Sequence, residues 1–393
     1  MIPRRQPPAY SPVTAPAIGR AAVQGLGLGA DPLQRLERRL AREYAADRVV
    51  LCGSGTEALQ LAIDVALRRT GTTSVALPAY TCYDVGAAAV AREATIELFD
   101  VDPATLGPDL ETLARVLERG TRVVVISPLF GVPVDWDAIA ALLARYGATG
   151  IEDAAQGHGA TWRGRPLGSL GPLSVLSFAR GKGWSGGSGG ALLTRGPDAG
   201  HGLDELRLPP RGRSEMRTLH LIVAQWALGR PVLYGLPASL PWLHLGESVY
   251  RDAVPPRSMS RAAAAAVEAL ACAAQQEAAA RRENARAMVS RIEGDLVPRI
   301  GSDAVAGFLR LPLRVQRGMG GFASPDRARQ LGIARSYPKT LADLPAVNRR
   351  LSTAGACPGA AELTRTLVTA PTHSLVGPAE RDAIIELLRG YRK

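Results

Sequence analysis

Between residues 48 and 194, short aliphatic and β-branched runs alternate with longer amphipathic stretches. The runs Arg48–Leu51, Ser74–Leu77, Thr95–Phe99, Arg122–Ile126, Ser174–Phe178 and Ala191–Thr194 are rich in aliphatic and β-branched residues, and predict strands of a sheet covered on both faces. The stretches between them, such as Glu57–Arg69 and Asp135–Tyr146, repeat apolar positions at helical spacing. Strands alternating with helices predict an α/β fold, with a mostly parallel central sheet and helices on both faces. Asp31 and Pro32 have the chemistry of an N-cap and a first helical residue, opening a charged helix to about Ala46. Residues 1–30, rich in Pro, Gly and Ala, read as an extended lead-in. The alternation stops after residue 200. A segment at 201–257 carries Pro, Trp and Arg. A long Ala-rich helix is then expected from Ser258 or Ser260 to Ile292, an apolar strand near Val305–Val315, and a capped final helix from Pro378. The expected division is a lead-in and large α/β domain at 1–200, a connecting segment at 201–257, and a smaller C-terminal α+β domain at 258–393.

Composition changes this picture in one respect. The chain holds 47 Lys plus Arg against 36 Asp plus Glu, a formal charge of +11 that by itself suggests a polyanionic partner. Only three of those basic residues are lysines: Lys182, Lys339 and Lys393. The arginines form no basic run interleaved with aromatics, so no nucleic-acid partner is expected. Five histidines without close ligand spacing argue against a metal site. Four cysteines without a CxxC pair (Cys52, Cys82, Cys272, Cys357) read as reduced thiols of a cytoplasmic protein. Met1–Arg5 is not followed by the apolar run of a signal peptide. Nor does any stretch keep the roughly 18–20 apolar residues of a spanning helix. The nearest approach, Leu219–Leu245, is broken by Arg230, Pro231, Pro237 and Pro241.

Three segments carry candidate chemistry. Cys52-Gly53-Ser54-Gly55-Thr56-Glu57 follows a predicted strand and enters a helix, where small residues leave backbone N–H groups open to a phosphate. Ile151-Glu152-Asp153-Ala154-Ala155-Gln156-Gly157-His158 ends an apolar strand in two carboxylates, at the strand end where open α/β sheets bind ligands. Ser177-Phe178-Ala179-Arg180-Gly181-Lys182-Gly183-Trp184 places one of the three lysines in a glycine-rich loop after a buried strand. Each segment alone has an ordinary explanation as a turn, a cap or a solvated side chain. A solvated role suits Lys182 poorly, because this chain uses Arg wherever it needs surface positive charge. Guanidinium stays protonated and cannot form an imine, whereas a lysine amine can. In combination, a phosphate loop, a strand-end aspartate and Ser-x4-Lys are the parts that a pyridoxal phosphate site requires.

These residues resemble the DegT/StrS-type family of fold-type I aminotransferases, the sugar aminotransferases of nucleotide-sugar pathways. The resemblance runs from Ile2-Pro3 and Leu36-Glu37 through Ser54–Leu59, Pro78-Ala79-Tyr80-Thr81, Glu152–Gln156 and Ser177–Lys182 to Gly189-Gly190. It extends more weakly to Ala370-Pro371-Thr372-His373. It implies a fold-type I pyridoxal phosphate transferase, with Lys182 carrying the cofactor and moving the proton. It also implies Asp153 on the pyridine nitrogen, Gln156 near the phenolic oxygen, and Ser177, Gly55 and Thr56 on the phosphate. The implied partners are an amino donor, glutamate, and a keto acceptor, a nucleotide-linked ketodeoxysugar, in a homodimer with shared active sites. Dehydratases of the family carry His at the lysine position, so Lys182 favours transamination. Alternatives to the sugar reading are a non-sugar or lipid-linked carbonyl substrate, or a non-catalytic regulatory or membrane-associated role.

Two positions depart from the family pattern. Cys82 stands where an aromatic usually stacks on the cofactor ring, leaving Tyr83 to cover the ring or the stack absent. Ser188 stands where an acid often precedes the last two glycines. Segment 201–257 matches least. Arg207, Arg211, Arg213 and Arg217 precede an apolar run with Tyr234 and Trp242, which reads as a dimer or core segment, or as a peripheral membrane contact through 207–245.

Overall fold

The aliphatic runs fold into one seven-stranded sheet. The computed structural model describes residues 5–196, 203, 208–210, 214–238, 248–292, 295–353 and 355–390. Two helices, α1 (Ala15–Gly25) and α2 (Pro32–Glu43), lead into β1 (Arg48–Cys52) and α3 (Gly55–Thr70). Then come β2 (Ser74–Pro78), α4 (Tyr83–Ala91), β3 (Thr95–Phe99), α5 (Leu110–Glu118), β4 (Val123–Ile126), α6 (Trp136–Arg145) and β5 (Thr149–Asp153). A short hairpin, β6 (Thr161–Trp162) and β7 (Arg165–Pro166), precedes β8 (Leu173–Ser177) and β9 (Gly190–Thr194). Next are α7 (Ser214–Leu228), α8 (Pro231–Ala238) and the 29-residue α9 (Arg261–Val289). The remaining elements are β10 (Ala304–Val305), β11 (Leu311–Arg314), α10 (Pro325–Gln330), β12 (Ala334–Arg335), α11 (Pro345–Asn348), α12 (Pro358–Thr366), β13 (Leu367–Ala370) and α13 (Pro378–Arg389).

The large sheet has the order β1-β9-β8-β5-β4-β2-β3, and only β9 runs antiparallel to its neighbours. All four residues of β4 are buried, as a strand covered on both faces requires. The parallel arrangement brings the carboxyl ends of β1, β4, β5 and β8 to one edge, where β9 begins. Helix α3 starts at that edge and is buried around most of its circumference, including Leu59, Ile63 and Ala66. A helix so enclosed holds its N-terminus rigidly. Ser54 caps it by accepting the Glu57 N–H at 3.2 Å, and Glu57 in turn accepts the Arg257 N–H at 2.9 Å. Helix α9 packs its first half on the large sheet's core and its second half, through Ala285 and Met288, on the core of the smaller β11-β13-β12 sheet.

Three expectations need correction. The lead-in is not extended throughout, because residues 15–25 form α1. Thr14 caps it, Pro16 sits in its first turn, and Ala17 and Ala21 are buried, Ala21 in a small cluster with Ala262 and Ala266 of α9. Pro, Gly and Ala content had masked its 3.6-residue spacing. The strand expected at Val305–Val315 is two strands in different sheets: β10 pairs with β6, and β11 pairs with β13. Phe308 divides them in a left-handed conformation (φ 44°). The final helix begins at Pro378 without a side-chain cap, since its N-cap residue is Gly377.

Residues 5–11 cross from the smaller sheet to the large one. Gln6 donates its backbone N–H to Gln330 (2.9 Å) and its amide to Leu375 (3.0 Å). The Pro7 carbonyl meets His373 Nε2 at 2.8 Å, and the Ser11 hydroxyl donates to the Lys182 carbonyl. Among the described residues, no helix is long and apolar enough to cross a membrane, and no group of three or more His, Cys, Asp or Glu could hold a metal ion.

Candidate active site

A cavity of about 400 Å³ opens at the carboxyl edge of the large sheet. Gly55, Thr56, Cys82, Asp153, Gln156, Ser177 and Lys182 all line it, although they come from four different strand ends and loops. The floor is the N-terminus of α3. Gly55 lies so close to Ser177 that a Cβ there would sit 2.7 Å from the serine Cβ and 2.9 Å from its Oγ. The missing side chain lets the Ser177 hydroxyl face the open N–H groups of the helix, a site suited to a phosphate. Gly190 approaches still more closely, since a Cβ would fall 2.5 Å from Gly55 N. Backbone cannot yield there as a flexible side chain could. Gly190→Ala is therefore expected to push Ser54 and Gly55 outward and weaken pyridoxal phosphate binding by about 10²-fold, as equilibrium dialysis would measure. Affinity equal to that of the unaltered protein would show that the loop is not the phosphate cradle.

The loop bearing Lys182 is pinned on both sides. Gly181 has φ 75°, which turns the chain after β8. Trp184 donates its indole N–H to the Val267 carbonyl of α9 at 2.7 Å, and Ser185 donates to the Gln225 side chain of α7 at 3.0 Å. With the Ser11 contact, the Lys182 backbone is held by the arm, α7 and α9. His158, which closes the Asp153 segment in sequence, packs against Trp184 and does not line the cavity.

Glu152 and Asp153 are adjacent in sequence and point opposite ways, as alternation along β5 demands. Glu152 is fully buried behind the sheet. It accepts the N–H groups of Gly168 (2.6 Å), Leu170 (2.8 Å) and Gly171 (3.2 Å), and the Ser174 hydroxyl (3.0 Å). Arg195 completes this knot by donating to the carbonyls of Gly168 and Gly171. Glu152 is a structural carboxylate. Asp153 faces the cavity, held by the Ser127 hydroxyl and the Ala155 N–H, each at 3.2 Å. Burial raises its carboxyl above the usual carboxylate range, and the Lys182 ammonium pulls it back. A second cation in the cavity would favour the carboxylate further.

Tyr83 does not cover the cavity. Its hydroxyl is engaged by the Lys339 N–H (2.9 Å) and carbonyl (3.3 Å), with its ring turned to Tyr337. The described lining contains no aromatic residue. Cys82 occupies that wall, its thiol pushed up to about 12 by burial, so it is a neutral wall and not a nucleophile. Gln156 reaches the cavity with its amide already engaged, the oxygen by Phe130 N–H (2.9 Å) and the nitrogen by Tyr337 Oη (3.0 Å). Ser188 does not stand alone: its hydroxyl joins Thr218 (3.0 Å), which joins Ser260 (2.9 Å).

The poorly matching segment supplies part of the wall, through Arg217, Thr218 and Leu221 of α7 and residues 251–254. Arg207, Arg211, Arg213 and Trp242 lie outside the described residues. Helices α7 and α8 leave Met216, Val223, Trp226, Val232 and Leu233 exposed, with the Arg230 guanidinium 4.2 Å above the Trp226 ring. Sequence reasoning missed Ser127, which follows the aliphatic run of β4 and could have been found as a polar residue at a parallel strand's carboxyl end. It also missed Tyr337, for which no pattern in the irregular C-terminal region gives a signal.

These residues fit pyridoxal phosphate. A lysine amine, a strand-end carboxylate and a helix N-terminus beside a serine converge on one cavity, and glycines stand where side chains would fill the phosphate end. Residues 22–230, more than half the chain, match the model of the DegT/DnrJ/EryC1/StrS aminotransferase family. The chain is 34% identical over 188 residues to 3-amino-5-hydroxybenzoate synthase of Amycolatopsis mediterranei, covering 47% of this chain and 48% of that one. It is likewise 34% identical over 197 residues to L-glutamine:2-deoxy-scyllo-inosose aminotransferase of Streptoalloteichus tenebrarius, covering 49% and 46%. The matches thus span about half the length of these curated relatives. The fold is shared over more of the chain. The aminotransferase TlmJ from Streptoalloteichus hindustanus superposes with a TM-score of 0.72 over 98% of each chain at 22% identity. Pyridoxal phosphate dependence is a property of the family that the model describes. The chain, with its fold-type I architecture, belongs to the DegT/DnrJ/EryC1/StrS aminotransferase family.

Proposed function

We propose that this protein is a pyridoxal phosphate-dependent aminotransferase that moves an amino group from glutamate or its amide onto the ketone of a polyhydroxylated ring, a nucleotide-linked ketodeoxysugar first among them. The observation that carries this reading is the convergence of Lys182 and Asp153 over the N-terminus of α3. The names of the two relatives, one an aminohydroxybenzoate synthase and one acting on an inosose with glutamine, support a cyclic acceptor and an amino-acid donor. When bound, the cofactor supplies an electron sink conjugated to the substrate's α-carbon.

The chain's residues supply the rest. Lys182 Nζ would hold the cofactor and, as a free amine, would take the donor's α-proton and return it two atoms away, a 1,3 shift. Asp153, with Oδ2 tied to Ser127, would keep a ring nitrogen protonated. The N–H groups of Gly55 and Thr56 and the Ser177 hydroxyl hold the phosphate. Cys82 and Gln156 form the side walls. The exposed apolar side chains of α7 and α8 lie on the element that lines the cavity, where a second copy sharing the site in a homodimer would cover them.

A half-reaction screen tests the reading. Protein loaded with pyridoxal phosphate is treated with glutamate or glutamine until its visible absorbance is lost, then offered candidate ketones. Recovery of the band with a ketosugar nucleotide or a ketocyclitol is the expected result and identifies the acceptor. A protein that loads with cofactor but never loses the band with any amino acid would refute transamination.

A further inference from the structure

The Gln156 amide has only one orientation compatible with its neighbours. The Phe130 N–H is purely a donor, so the atom facing it at 2.9 Å must be the amide oxygen. The nitrogen is then on the other side, donating one hydrogen to Tyr337 Oη at 3.0 Å and leaving one for the cavity that Gln156 lines. Phe130 is itself fixed, with φ 56° and its carbonyl taken by the Leu309 N–H at 2.8 Å.

Tyr337 has as little freedom. Its backbone N–H donates to Tyr80 Oη at 3.2 Å, and its ring lies 5.7 Å from Tyr80 and Tyr83 and 6.3 Å from Phe130. The Tyr83 hydroxyl clips the backbone of Lys339 two residues later. Thus Tyr80 and Tyr83, flanking the position where a stacking aromatic is absent, are engaged in holding Tyr337 against the back of the cavity wall.

We propose that Tyr337 is a positioning residue that locks Gln156 so that its remaining N–H points at an anionic oxygen of the bound cofactor. This rests on the pyridoxal phosphate reading above. An N–H donated to the phenolic oxygen stabilises its negative charge and weakens its hold on the proton shared with the Lys182 nitrogen. Loosening Gln156 therefore strengthens that hold and raises the pH midpoint of the visible absorbance of the loaded protein.

The test is a spectral pH titration of the holoprotein and three variants, with cofactor uptake measured first. In Tyr337→Phe, which keeps the ring and its packing, the midpoint is expected to rise by about half a pH unit, a threefold change in proton affinity. Gln156→Ala should shift it the same way, and the double variant should shift no further than Gln156→Ala alone. Tyr83→Phe, which cuts the clip to Lys339 but keeps the ring contact with Tyr337 and the Tyr337–Gln156 bond, should leave the midpoint in place. Additive shifts, or an unmoved midpoint in Tyr337→Phe, overturn the proposal while leaving the cofactor assignment standing. An unaltered protein that takes up no pyridoxal phosphate overturns both. If Tyr337→Phe does not fold, a crystal structure of the loaded unaltered protein decides. Gln156 Nε2 within hydrogen-bond distance of both Tyr337 Oη and a cofactor oxygen supports the proposal, and an amide turned from either refutes it.

Discussion

Lys182→Ala is expected to give a folded protein that no longer carries pyridoxal phosphate as a borohydride-reducible adduct and turns over at least about 10⁴-fold more slowly. The size follows from two losses at one atom. In the proposed reading the amine both holds the cofactor and moves the α-proton, and among the described residues lining the cavity no second lysine is present to replace it. Asp153 is tied to Ser127, and the Cys82 thiol is neutral by virtue of burial. Lys182→Arg should fare no better, because it restores charge but not a deprotonatable nitrogen. The scarcity of lysine makes the measurement clean. With three lysines in the chain, peptide mass mapping of the reduced protein should find the pyridoxyl group on Lys182 alone. A reduced adduct on Lys339, or persistence of one in Lys182→Ala, would reassign the site.

The second large effect concerns stability and separates two adjacent residues. Glu152→Ala removes a carboxylate that accepts four hydrogen bonds, three of them buried, leaving three loop N–H groups and the Ser174 hydroxyl without it, and Arg195 without its nearby negative charge. Leaving buried donors without an acceptor costs about 1–3 kcal/mol each, so the loss is a large fraction of the roughly 5–15 kcal/mol that keeps a typical domain folded. Urea denaturation should show the midpoint falling accordingly. Asp153→Ala should leave the midpoint nearly unmoved and abolish transamination, since Asp153 faces the cavity and shares only two hydrogen bonds of 3.2 Å. If the two variants behave alike, the division of labour along β5 is wrong.

That division also shows what the sequence could and could not disclose. The carboxylate pair was visible at the end of an apolar run, and strand alternation puts its members on opposite faces. Which member faces the ligand depended on the order of strands across the sheet, which short-range spacing does not encode. The six aliphatic runs became strands of one sheet, the central β4 buried at every position and the edge strand β1 only half-buried over Arg48–Val50. Helix α1 and the β10–β11 break were hidden because their signals are a capped Ala pattern inside a Pro- and Gly-rich stretch, and one positive φ at Phe308. The contact between Gln156 and Tyr337 joins residues 181 positions apart, and nothing local in either predicts the other.

The arm at residues 5–11 has a consequence for the order in which the protein is made. Gln6 bonds to Leu375, 369 positions later, and the same arm lays Ser11 on the Lys182 loop. At about 5–20 residues per second, ribosomal synthesis separates the appearance of these partners by roughly 20–70 s. Through that interval the large sheet can assemble around α3 and Ser11 can reach the lysine loop, but the arm is fixed at both ends only after Leu375 has been made.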